Sequence, residues 1–502
     1  MNSENAMGIK SMRTARVAAA ARLALLAAAL SACTTKVVLP EAAPAVDVPA
    51  SWTNSAKRGM ADRIDADWWK RFGSAELTEL VAAGQGGNLD LGAARARVRQ
   101  AEAQARIAGV QLLPTVDLSS GASRDVPIGS GSGSTSANVW LSTAYEVDFW
   151  GKNEANVKSV DASLKANRYD RQTVALTTTS AIVSVYLQVL SLNDRLDIAR
   201  EHVANAEKVL VLVGAQREAG SASPLDLARQ RSAVAGLKAA IPDLQQQARE
   251  ALSALAILLG RPPQTFTIEN HGLDSVVLPD VTPGLPSELL VRRPDILRAE
   301  AVLESANADV AAARAALFPR IRMTSAAGAQ SNALLALFNG PNLLASVGSS
   351  LVAPIFDGGR LRSERDLAIA RKQELVQVYR STVVAALSEV DNVLGQIRTI
   401  DEQRRLKATE MEQARIANDL SQIRYKSGAE DLMTVLDTQR AMSDVQNDLG
   451  MLKLKRLQAT VALFKALGGG WRDEGKETPA DKDPGERREQ ARQGGEGRGG
   501  KG

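Results

Sequence analysis

The amino-acid sequence contains two copies of one pattern, offset by about 205 to 210 residues, and this repetition limits the folds open to the chain. Residues 91–114 and 296–319 each place small apolar side chains at three- and four-residue spacing and stop at a proline. Such a segment predicts a helix that ends where a strand begins. Each copy predicts helix, strand, strand, long helix and return helix, so the fold is mainly α with a small β part.

The predicted strands are short, and their side chains alternate. Between residues 137 and 149, apolar side chains at odd positions alternate with more polar ones at even positions. This period is typical of a strand that is wet on one face. Residues 343–356 repeat the pattern, and residues 115–124 and 320–329 supply the first strand of each hairpin. About ten residues is the length of a tilted strand that crosses a membrane.

Very long helices are predicted after the strands. Residues 152–216 and 360–426 contain no proline and few glycines, and at 1.5 Å per residue each would extend for roughly 90–100 Å. Both end at a breaker in which Gly220 and Gly428 are expected to adopt positive φ at a hairpin tip. Shorter return helices are predicted at residues 224–260 and 432–467.

Four membrane-length strands are too few to close a barrel within one chain, because about eight is the practical minimum for a filled interior. An open sheet in lipid would leave edge N–H and C=O groups unpaired, at a cost of several kcal/mol each. We therefore expect the chain to associate with identical copies. A dimer would supply eight strands, and a trimer would supply twelve with space for a pore. This argument alone does not choose between them.

The first forty residues indicate export and anchoring. Positive charge up to Arg22 is followed by an apolar stretch, Leu23–Ala32, which is too short to span a bilayer and predicts a signal peptide over residues 1–32. The segment Leu-Ser-Ala-Cys ending at Cys33 resembles a bacterial lipobox, in which the cysteine thiol is acylated. The alternative is a cleaved soluble signal with an incidental cysteine.

The composition excludes several functions. Two histidines and one cysteine in 502 residues exclude most multi-ligand zinc sites, Cys–His nucleophile pairs and any intrachain disulfide. His202 and His271 are isolated in the sequence and are not expected to bind metal. The formal net charge is +4, but the leader carries four basic residues against one acidic residue. About +1 therefore remains, and nucleic acid is not an expected partner.

Motifs for catalysis are not evident either. We find no phosphate-cradling loop, no dinucleotide fingerprint and no credible triad, so the chain is expected to be neither an enzyme nor a cofactor-binding protein. Residues 468–502 are rich in glycine and charge, and the sequence predicts a disordered tail there.

Several segments, in order, carry a family resemblance. The most specific is Leu289–Pro319, which contains Arg292-Arg293-Pro294-Asp295. The others are Pro354–Arg360 (PIFDGGR), Ile241–Leu244 (IPDL), Leu258–Pro263 (LLGRPP), and Trp68-Trp69 with Phe72. Together with the lipobox, these segments resemble the outer-membrane factor family, the TolC-like trimeric channel-tunnels of tripartite efflux pumps. The likeness is to the NodT-like lipoprotein branch that serves resistance–nodulation–division (RND) transporters, and it covers residues 33–467.

The resemblance implies a homotrimer with a twelve-stranded outer-membrane β-barrel continued by a periplasmic α-helical barrel, lipid-anchored at Cys33. The implied function is a passive duct that carries drugs or other small molecules to the exterior. Its implied partners are a periplasmic adaptor (a membrane fusion protein), an inner-membrane RND transporter and outer-membrane lipid. The corresponding parts of the chain are a lipidated segment with part of an equatorial collar (33–84), a first repeat (85–260), a collar linker (261–288) and a second repeat (289–467).

The resemblance also implies a gate at the hairpin tips. Asp437 matches a position whose carboxylates ring the pore constriction, where three symmetry-related charges would attract cations and repel anions. Met433, one turn earlier, would supply an apolar constriction, and Asp226 is the candidate from the corresponding region of the first repeat. Tyr425 matches a tyrosine that ties neighbouring helices together in relatives. For either acid, the alternative is an ordinary solvated or salt-bridged carboxylate.

Two residues near this gate depart from the family pattern. Glu430 stands where some relatives carry an arginine, and Thr434 where some carry an aspartate. The sequence therefore does not decide which hydrogen bonds and ion pairs hold the gate closed. Gly220 and Gly428 mark the tips against which an adaptor's helical tips would pack; the alternative is a turn with no partner.

The residues Arg292, Arg293 and Asp295 are interpreted as structural, because an arginine–carboxylate pair behind a proline is suited to helix capping and collar packing.

Two other functions remain as alternatives to an efflux duct. The same architecture would suit a duct of a type I protein secretion system. A periplasmic coiled-coil adaptor or scaffold is a different class, and the two alternating hairpins argue against it.

Overall fold

The computed structural model describes residues 46–54, 65–129, 133–270 and 272–471. The signal peptide, Cys33, His271 and the residues beyond Trp471 lie outside the described residues. The described part contains eight α-helices, four strands and several short 3-10 helices. In chain order the elements are α1 (Ala75–Gly87), α2 (Leu89–Val110), β1 (Thr115–Asp125), β2 (Ser134–Val147), α3 (Lys152–Glu218), α4 (Pro224–Leu258), α5 (Leu289–Arg292), α6 (Pro294–Ala315), β3 (Arg320–Ser331), β4 (Leu343–Val352), α7 (Arg360–Lys426) and α8 (Leu432–Ala466).

The two copies contain the same elements with matching lengths. Helices α2 and α6 both have 22 residues, the long helices α3 and α7 both have 67, and the return helices α4 and α8 both have 35. Leu89 and Pro294, which open α2 and α6, are 205 positions apart, whereas Pro224 and Leu432, which open the return helices, are 208 apart. The predicted repeat of helix, strand, strand, long helix and return helix is confirmed.

Side-chain caps explain where several helices begin. The Ser74 hydroxyl accepts a hydrogen bond from the N–H of Leu77 at 3.1 Å, and the Asn88 side chain accepts one from Leu91 at 2.9 Å. These bonds satisfy N–H groups that have no partner within the helix. Helix α4 contains Pro242 and continues past it to Leu258.

The described residues form two compact units, and one of them contains the strands. This β unit comprises residues 116–155 and 307–368. Its strands form one sheet in the order β1-β2-β3-β4. Strand β2 of the first copy pairs antiparallel with β3 of the second, with Val139 opposite Ala329, and β3 pairs antiparallel with β4. The two copies therefore share one continuous sheet, whose edges are β1 and β4.

Strands β2 and β4 differ most from their predicted bounds, whereas β1 and β3 end within two residues of theirs. Strand β2 begins at Ser134, three residues before its predicted start, and ends at Val147, two residues before its predicted end. Strand β4 ends at Val352 rather than continuing to residue 356. Pro354 follows directly, and proline has no N–H to donate to a strand ladder.

One face of the sheet is apolar. Because β2 pairs with β3 and β3 with β4 in the registers given, Leu141 lies beside Ala327 and Ala345 on one face. The same face also carries Val139, Val147, Ile321, Met323, Val347 and Leu351. The opposite face is more polar and carries Asn138, Ser142, Glu146, Arg322, Thr324, Ser346 and Ser350. This two-sided pattern is typical of a sheet between lipid and water.

Aromatic side chains cluster at the end of the sheet where β2 ends and β3 begins. Trp150 stacks on Phe318 with ring centroids 4.6 Å apart and meets Phe149 edge-on at 4.8 Å. The Trp150 indole N–H donates to the carbonyl oxygen of Pro319 at 2.7 Å. Aromatic rings with one polar contact are characteristic of the membrane–water interface.

The other unit has a large apolar core, which gathers segments from both copies and from the chain ends. Trp68 stacks on Phe464 with centroids 4.9 Å apart, and Phe72 packs beside both rings. The middle of α3 contributes Ile182, Val183, Tyr186, Leu187 and Leu190, all fully buried. Among the described helices, α3 alone contains a stretch long and apolar enough to cross a membrane, and half of that stretch is buried. Core packing accounts for this apolar stretch.

Arg293 joins three segments of this unit. Its guanidinium donates to both carboxylate oxygens of Asp295 at 3.0 and 2.7 Å, to Glu389 at 2.7 Å and to the carbonyl oxygen of Ala466 at 2.8 Å. Only 10% of the Arg293 side chain is exposed. Arg292 instead pairs with Glu288 at 3.0 Å within one helical turn and is 38% exposed. The two neighbouring arginines therefore have different environments.

The sequence predicts a tail that begins at Gly468, and this boundary is wrong. The Trp471 indole N–H donates to the carbonyl oxygen of Arg292 at 2.6 Å, and its ring meets Tyr169 edge-on at 5.7 Å. Gly468 has φ +93°, and a Cβ there would lie 2.7 Å from the same carbonyl oxygen, so a glycine is required. The boundary was predicted from the average composition of residues 468–502, in which a single tryptophan has little weight.

Replacing Arg293 by methionine should lower the free energy of unfolding by about 2–4 kcal/mol, because it leaves Asp295 and Glu389 without their shared cation. The carboxylates are about one-third exposed, so the loss should be smaller than for a fully buried pair. Chemical denaturation in detergent, followed by tryptophan fluorescence, measures it. The matched control Arg292→Met should change stability by less than about 1 kcal/mol; equal losses in the two variants would contradict the assignment.

Candidate functional site

The two helical turns predicted as tips are packed against each other in the structure. We call the residues around them, 213–227 and 421–437, the turn region. Val213 of α3, Leu227 of α4 and Leu432 of α8 are buried together in a small apolar cluster, with Tyr425 and Leu436 packed around it. The turn region therefore brings together side chains from both copies of the repeat.

Each turn depends on a glycine in a left-handed conformation. Gly220 has φ +79° and Gly428 has φ +75°. In each turn the next residue's N–H bonds back to the last helical turn, Ser221 to the Gln216 carbonyl at 2.8 Å and Ala429 to the Arg424 carbonyl at 2.9 Å. This pattern satisfies carbonyls at a helix end and needs positive φ. A Cβ would meet nothing within 4 Å at either glycine, so the conformation alone requires glycine.

Tyr425 links the second copy to the first. Its hydroxyl donates to Oε1 of Gln216, at the end of α3, at 2.8 Å. Burial and the nearby Asp226 carboxylate raise the pKa of the Tyr425 hydroxyl, so it remains a protonated donor at neutral pH. This tyrosine therefore ties the two long helices together within one chain.

Asp226 caps the helix on which it lies. Its carboxylate accepts hydrogen bonds from the N–H and the hydroxyl of Ser223 at 3.1 and 2.7 Å, and its own N–H donates to the Ser223 hydroxyl at 3.1 Å. This reciprocal arrangement is a capping box at the start of α4. The Asp226 carboxylate is thus already occupied in the turn.

The second copy caps its return helix with different residues. The Asp431 carboxylate accepts from the N–H and the hydroxyl of Thr434 at 2.8 and 2.9 Å. These bonds from Thr434, together with the positive charge of Arg229, lower the pKa of Asp431. Glu430 accepts from the Thr434 hydroxyl at 3.2 Å and pairs with Arg424 at 3.4 Å. The two departures noted in the sequence, Glu430 and Thr434, therefore contact each other.

Aligning the return helices from their first residues gives the correspondence residue by residue. Pro224 aligns with Leu432, so Asp226 aligns with Thr434. The first-copy residue that aligns with Asp437 is Arg229. In this position the two copies carry opposite charges.

Asp437 and Met433 lie on an open face of α8. They are four residues apart and therefore on the same side of the helix. Met433 is 42% exposed, and Asp437 is also exposed. Among the described residues, no side chain makes a hydrogen bond or ion pair with the Asp437 carboxylate. Unlike Asp226, this acid is available to a pore or a partner.

A second polar cluster lies between α3 and α8, further from the turns. His202 Nε2 is 3.1 Å from Gln446 Oε1, and His202 Nδ1 is hydrogen-bonded to the Ser443 hydroxyl. The groove around them has a volume of about 740 Å³. Among the described residues, no group of three His, Cys, Asp or Glu side chains converges as a metal site.

Sequence reasoning missed several participants in the turn region. Gln216, Arg424 and Asp431 each hold another residue in place by a hydrogen bond or an ion pair. Only Asp431 carries a local signal, since an aspartate directly before a helix is a preferred N-cap. The partners of Gln216 and Arg424 depend on how the turns pack, which local spacing does not reveal.

Substituting Asp226 by alanine should loosen the start of α4, because loss of the cap costs about 1 kcal/mol. Hydrogen exchange at the amides of residues 223–227 should become about fivefold faster. Asp226→Glu should retain the capping box and the wild-type exchange. If the alanine variant exchanged as slowly as the wild type, the capping role would be wrong.

Comparisons with known proteins agree with this architecture. The family model described as outer membrane efflux protein matches residues 84–261 and 285–469. The pyoverdine export outer membrane protein OpmQ of Pseudomonas aeruginosa is 45% identical over 438 residues, covering 85% of this chain and 92% of OpmQ. The outer membrane protein OprJ of the same organism is 34% identical, over 86% of this chain and 92% of OprJ.

A solved structure gives the same result. The open state of the outer membrane channel MtrE of Neisseria gonorrhoeae matches with a TM-score of 0.80 at 27% identity, over 86% of this chain and 98% of MtrE. Each matched segment of the family model contains one of the two repeats described above. The chain belongs to the outer membrane efflux protein family.

Proposed function

We propose that three copies of this chain form the outer-membrane duct of a tripartite efflux pump. The duct would have a twelve-stranded β-barrel in the membrane and a helical barrel in the periplasm. The observation that carries this proposal is the sheet: four strands, one apolar face and two edges, joined to helices of 67 residues. The chain would open a path and perform no chemistry of its own.

Edge pairing supports three copies. Strands β1 and β4 are the edges of the sheet, and each pairs with one neighbour within the described residues. If β4 of one copy pairs with β1 of the next, three copies close a ring of twelve strands, and every edge gains a partner. Twelve strands enclose more space than side chains fill, which a duct requires.

The cargo class follows from the relatives by analogy. OpmQ of Pseudomonas aeruginosa and of Pseudomonas putida are pyoverdine export proteins, and a further relative is a toluene efflux pump protein. We propose drugs or other small molecules as cargo, with a pyoverdine-like molecule as the first candidate. Protein secretion has no comparable support from these relatives.

The proposed partners are a periplasmic adaptor and an inner-membrane RND transporter. The turns at Gly220 and Gly428 are the proposed adaptor contacts, because both are exposed and conformationally fixed. Residues 33–84 and 261–288, together with Arg293 and Asp295, are assigned to a collar around the helical barrel. Arg292 belongs to the same collar through its pair with Glu288.

The gate is assigned to Asp437 and Met433, with Tyr425 as the tie that holds the long helices. Free carboxylates from three copies, arranged around one axis, would attract cations and bind divalent ions. Asp226 is a weaker candidate than the sequence indicated, because its carboxylate is engaged by Ser223.

Replacing Asp437 by alanine should raise single-channel conductance and weaken divalent-cation block several-fold in planar bilayers, since the ring of three charges is lost. Asp444→Ala is the matched control, because this exposed acid lies two helical turns along the same helix. Native mass measurement in detergent should give a trimer for both variants. An unaltered trace for Asp437→Ala would remove this acid from the constriction, and a stable monomer would overturn the duct itself.

We also propose acylation at Cys33, which would anchor the mature chain at the outer membrane. Several acyl chains give durable anchoring where one does not. Cys33→Ser should abolish metabolic labelling with palmitate and release a larger fraction of the protein from outer-membrane fractions. Labelling that persists in this variant would sink the anchor proposal; Ser31→Gly, which leaves the thiol, should still label.

A further inference from the structure

The loop between β3 and β4, residues 332–342, exposes large apolar side chains without burying them in the chain. The exposed fractions are 68% for Leu334, 102% for Leu335 and 72% for Phe338. We call these three side chains the apolar knob. The segment from Ser331 to Asn342 contains no charged residue. Apolar side chains exposed together in this way need a non-aqueous partner.

The loop is folded, so the exposure is a feature of its structure. Leu334–Ala336 forms one 3-10 turn, and the Asn342 side-chain amide donates to the Ala336 carbonyl oxygen at 2.6 Å. The Ala333 N–H donates to the Ser331 hydroxyl at 3.2 Å. These bonds hold the knob in a fixed conformation.

Leu337 fixes the side of the sheet on which the loop lies. It is 4% exposed and packs against Ala137 and Ala329, with Val139 beside them. Val139 lies directly opposite Ala329, and Ala137 is two residues away on the same strand, so all three are on the apolar face. The loop is therefore folded onto the face proposed to meet lipid, and the knob extends that face.

The position of the loop along the strands matches a membrane interface. Ala137 and Val147, the last residue of β2, are ten positions apart, and the aromatic cluster begins two residues later at Phe149. At about 3.3 Å per residue and a tilt near 40°, the separation along the strand corresponds to about 25 Å of height. Membrane barrels carry an apolar band about 25 Å tall between two girdles. Phe338 is the only aromatic residue between Asp125 and Ser136 or between Ser331 and Leu343.

We propose that the apolar knob inserts among the acyl chains of the outer leaflet and forms the second girdle of the barrel. This inference rests on the proposed membrane barrel. Aromatic residues already mark the periplasmic end, so the knob would fix the barrel's height in the bilayer from the opposite end. The small residues Ala137 and Ala329 under Leu337 allow the loop to lie close to the sheet.

Site-directed spin labelling tests the proposal. Leu335→Cys and Phe338→Cys are made singly in the Cys33→Ser chain, labelled with a nitroxide and reconstituted in dioleoylphosphatidylcholine vesicles. Control labels replace Val347 on the apolar face and Ser346 on the polar face. Collision with oxygen, which concentrates in lipid, is compared with collision with a water-soluble nickel complex.

We expect labels at 335 and 338 to favour oxygen several-fold over nickel, as the label at 347 does, whereas the label at 346 favours nickel. Labels at 335 and 338 that favour nickel would place the knob in water and overturn the inference. Protection from both reagents would mean that a neighbouring subunit covers it, which also overturns the inference. If the labels at 347 and 346 do not differ, the membrane barrel itself fails, and the knob proposal fails with it.

Discussion

The unpaired edge of a strand in lipid is the constraint on which this architecture depends. Water is not available there to satisfy a free N–H or C=O, so each edge must find another strand. The chain solves half of the problem internally, since β2 and β3 from different copies of the repeat pair across eleven residues. The other half remains at β1 and β4. In the proposed trimer, these two edges are what make one chain insufficient and three chains complete.

The two copies of the repeat have helices of equal length, but different residues cap the return helices in their turns. Both return helices begin at the same place relative to their glycine, yet one is capped by Ser223 with Asp226 and the other by Asp431 with Thr434. Helix initiation needs an acceptor for free N–H groups and tolerates several solutions. A position beyond the cap is free to diverge further, and there Arg229 aligns with Asp437, an exposed acid. Positions at which the two copies differ, such as Arg229 and Asp437, are therefore the first candidates for a functional role in the turn region.

Much of the fold was predictable because periodicity and chain breakers are local. The alternation of residues 137–149 identified the strand faces, and Gly220 and Gly428 marked the turns, since their sequence effects act within a few residues. Two long-range contacts were not predictable in this way. The pair between Tyr425 and Gln216 joins residues 209 positions apart, and the contact of Trp471 with Arg292 spans 179 positions. The engagement of Asp226 by Ser223, by contrast, was within reach of the sequence, because a capping box joins residues only three positions apart.

The proposed membrane contact of the loop after β3 follows from the same reasoning as strand pairing. A face that is apolar along β2, β3 and β4 requires both of its ends to pass into water, and each end needs side chains suited to the boundary. At one end Trp150 meets this need, with its ring stacked on Phe318 and its N–H bonded to a carbonyl. At the other end this face carries Ala137, Ala329 and Leu343, and no aromatic side chain among the paired strand residues there. In the proposed barrel the loop supplies one, because Leu337 packs on Ala137 and Ala329 and Phe338 follows it directly.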